Sequence, residues 1–100
     1  MKILVVDDEP LARERLLRLL ARIQPSATCL HAADGVEAMA QVVAENPDLV
    51  LLDIRMPGKD GIEVATELDQ LDSPPAVVFC TAYDEYALQA VQHQAVAYLL

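Results

Sequence analysis

The chain alternates short, wholly apolar runs with longer segments in which apolar residues recur every three or four positions. Runs that are apolar on both alternations are typical of strands buried on both faces of a parallel sheet. The longer segments have the spacing of amphipathic helices. The predicted strands are Lys2–Val6, Ala27–Ala32, Asp48–Leu52, Ala76–Cys80 and Ala95–Leu99.

Helices are predicted between consecutive strands, and turn residues mark their ends. Pro10 stands in the first turn of helix one, which ends before Pro25. Asp34-Gly-Val-Glu37 and Asp60-Gly-Ile-Glu63 have the spacing of capping boxes and begin helices two and three. A short fourth helix is expected from about residue 85 to 92. The apolar positions at helical spacing are Leu16, Leu19, Leu20 and Ile23 in helix one, Ala38, Met39, Val42 and Val43 as the buried stripe of helix two, and Ile62, Ala65 and Leu68 in helix three.

The order of these elements predicts the fold. Strands that alternate with helices favour an α/β domain, a doubly wound five-stranded parallel sheet of the flavodoxin-like type. Right-handed crossovers, and helices needed on both faces, predict the strand order 2-1-3-4-5. Residues 1–100 are expected to form one domain.

Composition and charge narrow the classes of function. A hydrophobic content of 54% supports a packed core. No apolar run is long enough for a membrane span or a signal peptide, so we expect a soluble cytoplasmic protein. The formal net charge of −9 disfavours direct contact with nucleic acid or an anionic membrane.

The basic residues and the cysteines do not indicate a further catalytic or metal-binding site. Arg13, Arg15, Arg18 and Arg22 fall in predicted helix one. Arg15, Arg18 and Arg22 share one face, which we interpret as a solvated face, with a docking surface for an acidic partner as the alternative. Cys29 and Cys80 lie in strands two and four, about 14 Å apart in the predicted order, which is too far for a disulfide. Neither has the neighbours of a metal site.

Acidic residues follow two strands that the predicted order makes neighbours. Asp7 and Asp8 come after strand one and Asp53 after strand three, so their carboxylates should converge at one sheet edge, with Thr81 at the end of the next strand. Two carboxylates about 5 Å apart repel by roughly 3 kcal/mol at an effective dielectric constant of about 20. An arrangement with this cost indicates a functional site. Oxygen ligands of this kind suit Mg²⁺. A carboxylate beside such a metal can also act as a nucleophile and form an aspartyl phosphate.

Three motifs carry a resemblance to a known family. Asp-Asp-Glu-Pro after strand one, Leu-Leu-Asp-Ile-Arg-Met-Pro-Gly-x-Asp-Gly around Asp53, and Phe-Cys-Thr-Ala after strand four resemble the receiver domain of two-component response regulators. The finer pattern, Asp-Asp-Glu-Pro-Leu-Ala-Arg-Glu-Arg-Leu with Cys-Thr-Ala-Tyr-Asp-Glu-Tyr-Ala-Leu, is most similar to the AlgR-like branch, whose output is a LytTR DNA-binding domain. The resemblance spans essentially the whole chain.

The resemblance implies a phosphoacceptor site that depends on Mg²⁺. Asp53 matches the aspartate that accepts a phosphoryl group from a sensor histidine kinase. Asp8 matches the acid that ligates Mg²⁺ directly, and Asp7 matches its neighbour that acts through water. Asp53 itself and the backbone carbonyl of Arg55 would be the remaining protein ligands of Mg²⁺.

It also implies a switch. Thr81 and the backbone N–H of Ala82 match the groups that bind the phosphoryl oxygens. Tyr98 matches an aromatic residue on strand five that turns inward when the hydroxyl residue moves. Such a change would regulate a DNA-binding output that lies outside this sequence.

One departure from the family concerns the C-terminus. Receiver domains carry Lys-Pro after strand five, and this sequence ends at Leu100, where that lysine would come next. We therefore expect a receiver domain that is incomplete at its C-terminus, with the final helix missing. Two consequences are expected: Mg²⁺ binding with poor phosphate acceptance, and self-association as a dimer or swapped dimer through an uncovered apolar face.

Other classes of protein fit the sequence less well. A phosphohydrolase with an aspartyl nucleophile would place a second acid where Arg55 stands, so we expect no enzyme with turnover. A flavin-binding protein of this fold would need a phosphate-cradling loop in place of Asp7-Asp8-Glu9, and no nucleotide-binding P-loop is present. A degenerate receiver that acts as a dimerisation or interaction module is the main alternative.

Overall fold

The computed structural model describes residues 1–80 and the backbone of residues 97–99. Five parallel strands form one sheet in the order β2-β1-β3-β4-β5, so the predicted fold class and strand order are confirmed. The elements are β1 Lys2–Val6, α1 Pro10–Ile23, β2 Thr28–Ala32, α2 Gly35–Glu45, β3 Leu49–Leu52, α3 Gly61–Asp69, β4 Ala76–Cys80 and β5 Ala97–Leu99. The helix predicted over residues 85–92 lies outside the described residues. None of α1 to α3 is long and apolar enough to cross a membrane.

The sheet has an apolar core on each face, as the strand pattern predicts. Leu4 and Val6 of β1 pack with Val50 and Leu52 of β3 beneath α2 and α3. Residues of the opposite alternation pack beneath α1, namely Ile3, Val5 and Leu51 together with Leu20. Because both faces of β1 and β3 are packed, the carboxyl ends of these two strands are rigidly placed.

The helix faces differ in part from the prediction. Ile62, Ala65 and Leu68 of α3 are buried as expected, and so are Ala38 and Val42 of α2. Val43 was predicted in the buried stripe of α2, and this is wrong, since it is 74% exposed. The reason is geometric: α2 turns the face that carries Gly35, Ala38 and Val42 toward the sheet, which leaves Val43 on the solvent side. In α1, Leu20 is buried, whereas Leu19 and Ile23 are exposed.

Strand and helix ends lie close to the predicted ones. β2 begins one residue later than predicted, because the N–H of Ala27 donates to the carbonyl of Gln24 in the turn after α1. β3 begins at Leu49, one residue later than predicted, and the described part of β5 is Ala97–Leu99. Each of the five strands ends at the predicted residue.

Both predicted cap motifs begin a helix. At α3 the Asp60 carboxylate accepts from the N–H of Glu63 at 2.9 Å, and the Glu63 carboxylate accepts from the N–H of Asp60 at 3.3 Å, which completes a capping box. At α2 the Asp34 carboxylate accepts from the N–H of Glu37 at 2.8 Å. The cap of α3 matters for the site, because this helix begins directly beside the loop that follows β3.

The two cysteines are free, as predicted. Cys29 lies in β2 and Cys80 in β4, with β1 and β3 between them. Burial raises the pKa of the Cys80 thiol to about 11, and the negative charges of Asp53 and Asp7 add to the increase. This thiol is therefore protonated and poorly nucleophilic at neutral pH.

Candidate metal centre

Three carboxylates meet at the carboxyl edge of the sheet. One oxygen from each of Asp7, Asp8 and Asp53 lies within 4.8 Å of the other two. The parallel register of β1 and β3 pairs Val6 with Leu52, so the residues that follow them begin side by side. The N–H of Asp53 donates to the carbonyl of Val6 at 3.0 Å and joins the two strand ends. The structure thus brings the three acids of the sequence prediction together.

Asp7 is the most firmly held of the three. It is 8% exposed, its N–H donates to the carbonyl of Ala32 on β2 at 3.2 Å, and its carboxylate accepts from the N–H of Glu9 at 2.9 Å. Burial raises the pKa of Asp7, an effect that the hydrogen bond from Glu9 and the positive charge of Arg13 partly oppose. Nearby negative charge, first from Asp8, raises this pKa further.

Asp53 is half-buried and has the most perturbed carboxyl of the group. Burial, followed by the negative charges of Asp7 and Asp8, raises the pKa of Asp53 to about 6. Hydrogen bonds from the backbone of Arg55 and Ile54 partly stabilise its ionised form. The three acids therefore hold an excess of negative charge in one small space, and a bound cation would reduce their mutual repulsion. Their hard oxygens match the ligand preference of Mg²⁺, so the residues fit this ion.

The loop between β3 and α3 is anchored on both sides of Asp53. Ile54 and Met56 are buried, and the N–H of Gly61 donates to the carbonyl of Ile54 at 2.8 Å. A Cβ on Gly61 would lie 2.3 Å from the carbonyl oxygen of Asp53 and 2.7 Å from the Cα of Ile54. The beginning of α3 therefore rests directly against the backbone of Asp53. The sequence predicted only a capping box at this position, because a close backbone approach leaves no sequence signal beyond the glycine itself.

Arg13 makes a contact that the sequence did not predict. Its Nη1 donates to the backbone carbonyl of Asp7 at 2.8 Å. The sequence-based prediction placed Arg15, Arg18 and Arg22 on one solvated face and assigned Arg13 no role of its own. Arg15 is indeed exposed, whereas Arg13 is half-buried beside the acidic cluster. Helical spacing separates Arg13 from that face but does not predict its contact with the carbonyl of Asp7.

The remaining predicted site residues are only partly visible. Arg55 follows Asp53 by two residues and is exposed, and its backbone donates to the Asp53 carboxylate. Thr81 and Ala82 lie outside the described residues, directly after the end of β4. Tyr98 lies in β5, where its backbone is in register with Phe79 of β4, and its side chain is outside the described part.

The acidic cluster makes the stability of the metal-free chain depend on pH. The pKa of Asp53 is about 6 in the folded chain against an ordinary value of 3.8, so the folded state binds more protons between these values. The contribution of Asp53 to the free energy of unfolding therefore falls as pH rises through this window. With EDTA present, Asp53→Asn should stabilise the chain at pH 7 by about 1 to 2 kcal/mol, a value reduced by partial exposure to water.

Urea unfolding of the two proteins at neutral and acidic pH measures this difference. The gain should shrink at about pH 4, where the wild-type carboxyl is largely protonated in the folded state and close to half protonated in the unfolded state. Asp72→Asn, at an exposed position in the loop after α3, is the matched control and should change stability little. An Asp53→Asn chain that is less stable than wild type at pH 7 would contradict the repulsion described here.

The sequence matches a known family over nearly its whole length. The profile of the response regulator receiver domain covers residues 3–100. The chain is 52% identical over 106 residues to the positive alginate biosynthesis regulatory protein of Pseudomonas aeruginosa, spanning 100% of this chain and 41% of that protein. It is 46% identical over 101 residues to the sensory transduction protein LytT of Bacillus cereus, spanning 100% of this chain and 41% of that protein. The chain thus spans about two fifths of these relatives.

A solved structure supports the same assignment. The response regulator protein TrrA from Thermotoga maritima, in complex with Mg²⁺ and BeF, has a TM-score of 0.89 and 37% identity to this chain. The likeness covers 99% of this chain and 84% of that one. Family profile, relatives and fold agree, and the chain belongs to the receiver-domain family of two-component response regulators.

Proposed function

We propose that this chain is a phosphoacceptor signalling domain in which Asp53 accepts a phosphoryl group from a phosphohistidine of a sensor histidine kinase. The observation that carries the proposal is the group of three carboxylates, with one oxygen of each within 4.8 Å of the others. Asp53 is the member that extends from the central strand β3 into an anchored loop. A firmly held backbone presents its carboxylate in a constant direction, as nucleophilic attack requires.

The protonation state of Asp53 suits this role. A carboxyl with a pKa of about 6 is mostly ionised at neutral pH, so an oxygen is available to attack phosphorus. In the proposed transfer an O–P bond forms at Asp53 as the P–N bond to histidine breaks in line, and the leaving imidazole takes up a proton. Positioning and electrostatic stabilisation supply most of the catalysis in reactions of this kind.

The metal belongs to the same proposal. We assign Asp8 as a direct ligand of Mg²⁺, Asp7 as a ligand through water, and Asp53 and the backbone carbonyl of Arg55 as the remaining protein ligands. When bound, Mg²⁺ would supply the positive charge that offsets the charge of the transferring group. Support comes from the chemistry of the three acids and from TrrA, which was solved with Mg²⁺ and BeF.

The proposed response to phosphorylation involves the residues that follow β4 and one residue of β5. Phosphorylation adds negative charge and strong acceptor oxygens at the sheet edge. In the proposal, Thr81 and the backbone N–H of Ala82 bind these oxygens, and Tyr98 moves inward as Thr81 shifts. The changed surface would regulate a DNA-binding output of a longer protein in the cytoplasm. We assign no enzymatic turnover and no direct nucleic-acid or membrane contact to this domain.

Phosphoryl labelling tests the proposed function. The purified chain is incubated with radiolabelled acetyl phosphate, with Mg²⁺ or with EDTA. We expect acid-stable, base-labile label that requires Mg²⁺, because an acyl phosphate is hydrolysed by base. Label of equal amount in EDTA, or the absence of label in both, would overturn the proposal.

Self-association is a second part of the proposed behaviour. Leu11, Leu19 and Ile23 of α1 are exposed, and α2 exposes Val36 and Val43. Exposed apolar groups of this kind favour contacts with other protein surfaces. We propose that the chain dimerises at high concentration. Light scattering over a concentration series should show an increasing mean mass, and a constant monomer mass would refute dimerisation.

A further inference from the structure

The carbonyl group of Asp7 lies just beyond the end of β1, where regular sheet pairing ceases. The N–H of this residue still pairs with Ala32 on β2. Its carbonyl accepts instead from Nη1 of Arg13, six residues along the chain, at 2.8 Å. Arg13 lies near the start of α1, so its side chain ties the first helix to the end of the first strand. A charged donor makes this a comparatively strong hydrogen bond.

This bond acts on the residue that follows. The carbonyl of Asp7 and the N–H of Asp8 belong to one planar peptide group. When the carbonyl is fixed, the plane from which Asp8 departs is fixed as well. Asp8 is exposed, unlike buried Asp7. The direction of the Asp8 carboxylate therefore depends strongly on how its backbone is held.

The charge of Arg13 and its position predict opposite effects on a bound cation. As a positive charge beside the cluster, Arg13 repels a divalent cation, and its removal alone should tighten binding. As the donor that orients the peptide between Asp7 and Asp8, it places carboxylate oxygens where a cation needs them. Metal ligands commonly depend on such supporting hydrogen bonds, and their loss weakens metal affinity. The sign of the change in affinity thus distinguishes the two effects.

We propose that Arg13 is a positioning residue of the cation site, which holds the Asp7–Asp8 peptide so that the Asp8 carboxylate faces Asp53. This inference rests on the proposed function, because it concerns the same Mg²⁺ site. It assigns to Arg13 a role distinct from the other arginines of α1. Arg15 is exposed on the same helix, two residues away, and provides a comparison with the same loss of charge.

The test measures Mg²⁺ affinity of the full chain by following backbone amide resonances during titration with MgCl₂. Arg13→Met keeps an unbranched side chain suited to a helix but removes the donor, and it should weaken Mg²⁺ binding roughly tenfold. Arg15→Met should leave affinity within about twofold, since an exposed charge is screened. Arg13→Lys, which restores a charged donor, should recover most of the affinity. Unshifted amide resonances in β2 and α3 show that each variant is folded.

Two results would overturn the inference. One is Mg²⁺ binding by Arg13→Met that is as tight as wild type or tighter, which would leave only the charge effect. The other is an equal loss in Arg15→Met. If Arg13→Met does not fold, Arg13→Lys decides the question. Its Mg²⁺ affinity is compared with that of Asp8→Asn, which lacks the Asp8 carboxylate. If Arg13→Lys binds Mg²⁺ as weakly as Asp8→Asn, the inference is also refuted. Wild-type chain that shows no saturable Mg²⁺ binding would instead refute the proposed function, and the inference with it.

Discussion

Replacement of Asp53 with asparagine is expected to abolish phosphoryl labelling of the chain, by at least about a hundredfold in rate. The amide of asparagine is a poor nucleophile and cannot form the acyl phosphate. Because Asn has nearly the shape of Asp and can accept one of the hydrogen bonds from Ile54 and Arg55, the loop should stay in place. Radiolabel from acetyl phosphate in the presence of Mg²⁺ measures the effect directly.

Controls separate loss of the acceptor from loss of the fold. Asp72→Asn removes a carboxylate at an exposed position far along the chain from the cluster and should be labelled like wild type. The Asp53→Asn chain should also be at least as stable as wild type at pH 7, since it removes repulsion from the cluster. Labelling that survives Asp53→Asn would place the acceptor on another residue.

Gly61→Ala should be among the most destabilising single substitutions in the chain. The added Cβ would lie 2.3 Å from the carbonyl oxygen of Asp53 and 2.7 Å from the Cα of Ile54. Both are backbone atoms and cannot rotate away, so the start of α3 must separate from the loop that carries Asp53. We expect a loss of about 3 kcal/mol or more in the free energy of unfolding, measured with urea.

Gly58 supplies the matched glycine control in the same loop. Its φ is +75°, and a Cβ there would meet nothing within 4 Å. Gly58→Ala should therefore cost only the strain of a left-handed backbone, about 1 to 2 kcal/mol. Equal losses at the two positions would show that close approach to Asp53 does not explain the need for Gly61.

The strand pattern predicted the sheet well, because burial on both faces constrains every position of a central strand. In β1, Ile3 packs beneath α1 and Leu4 packs beneath the helices of the other face. From Ile3 to Val6 every residue on both alternations is apolar and buried, and such a run is easily identified. With the strand order known, adjacency of β1 and β3 was enough to predict that Asp7 and Asp53 lie together.

Helix faces and loop contacts were less predictable. An apolar residue at the margin of a helical stripe, such as Val43, is buried or exposed according to the rotation of the helix on the sheet, which depends on distant packing. The contact between Arg13 and the Asp7 carbonyl depends on how the chain turns through Asp8 into α1. Gly61 has the residue type expected at a helix start, and its approach to Asp53 exists only in three dimensions.

The central claim is that carboxylates from the ends of two neighbouring strands form one cation site. A titration of the chain with MgCl₂, followed by its melting temperature, tests this claim most directly. A ligand that binds only the folded state at a hundred times its Kd adds about 2.7 kcal/mol of stability. We expect the melting temperature of wild type to rise with the logarithm of the Mg²⁺ concentration once that concentration exceeds the Kd, and to rise little or not at all for Asp8→Asn. A wild-type melting temperature that does not respond to Mg²⁺, or an equal rise in Asp8→Asn, would contradict the account.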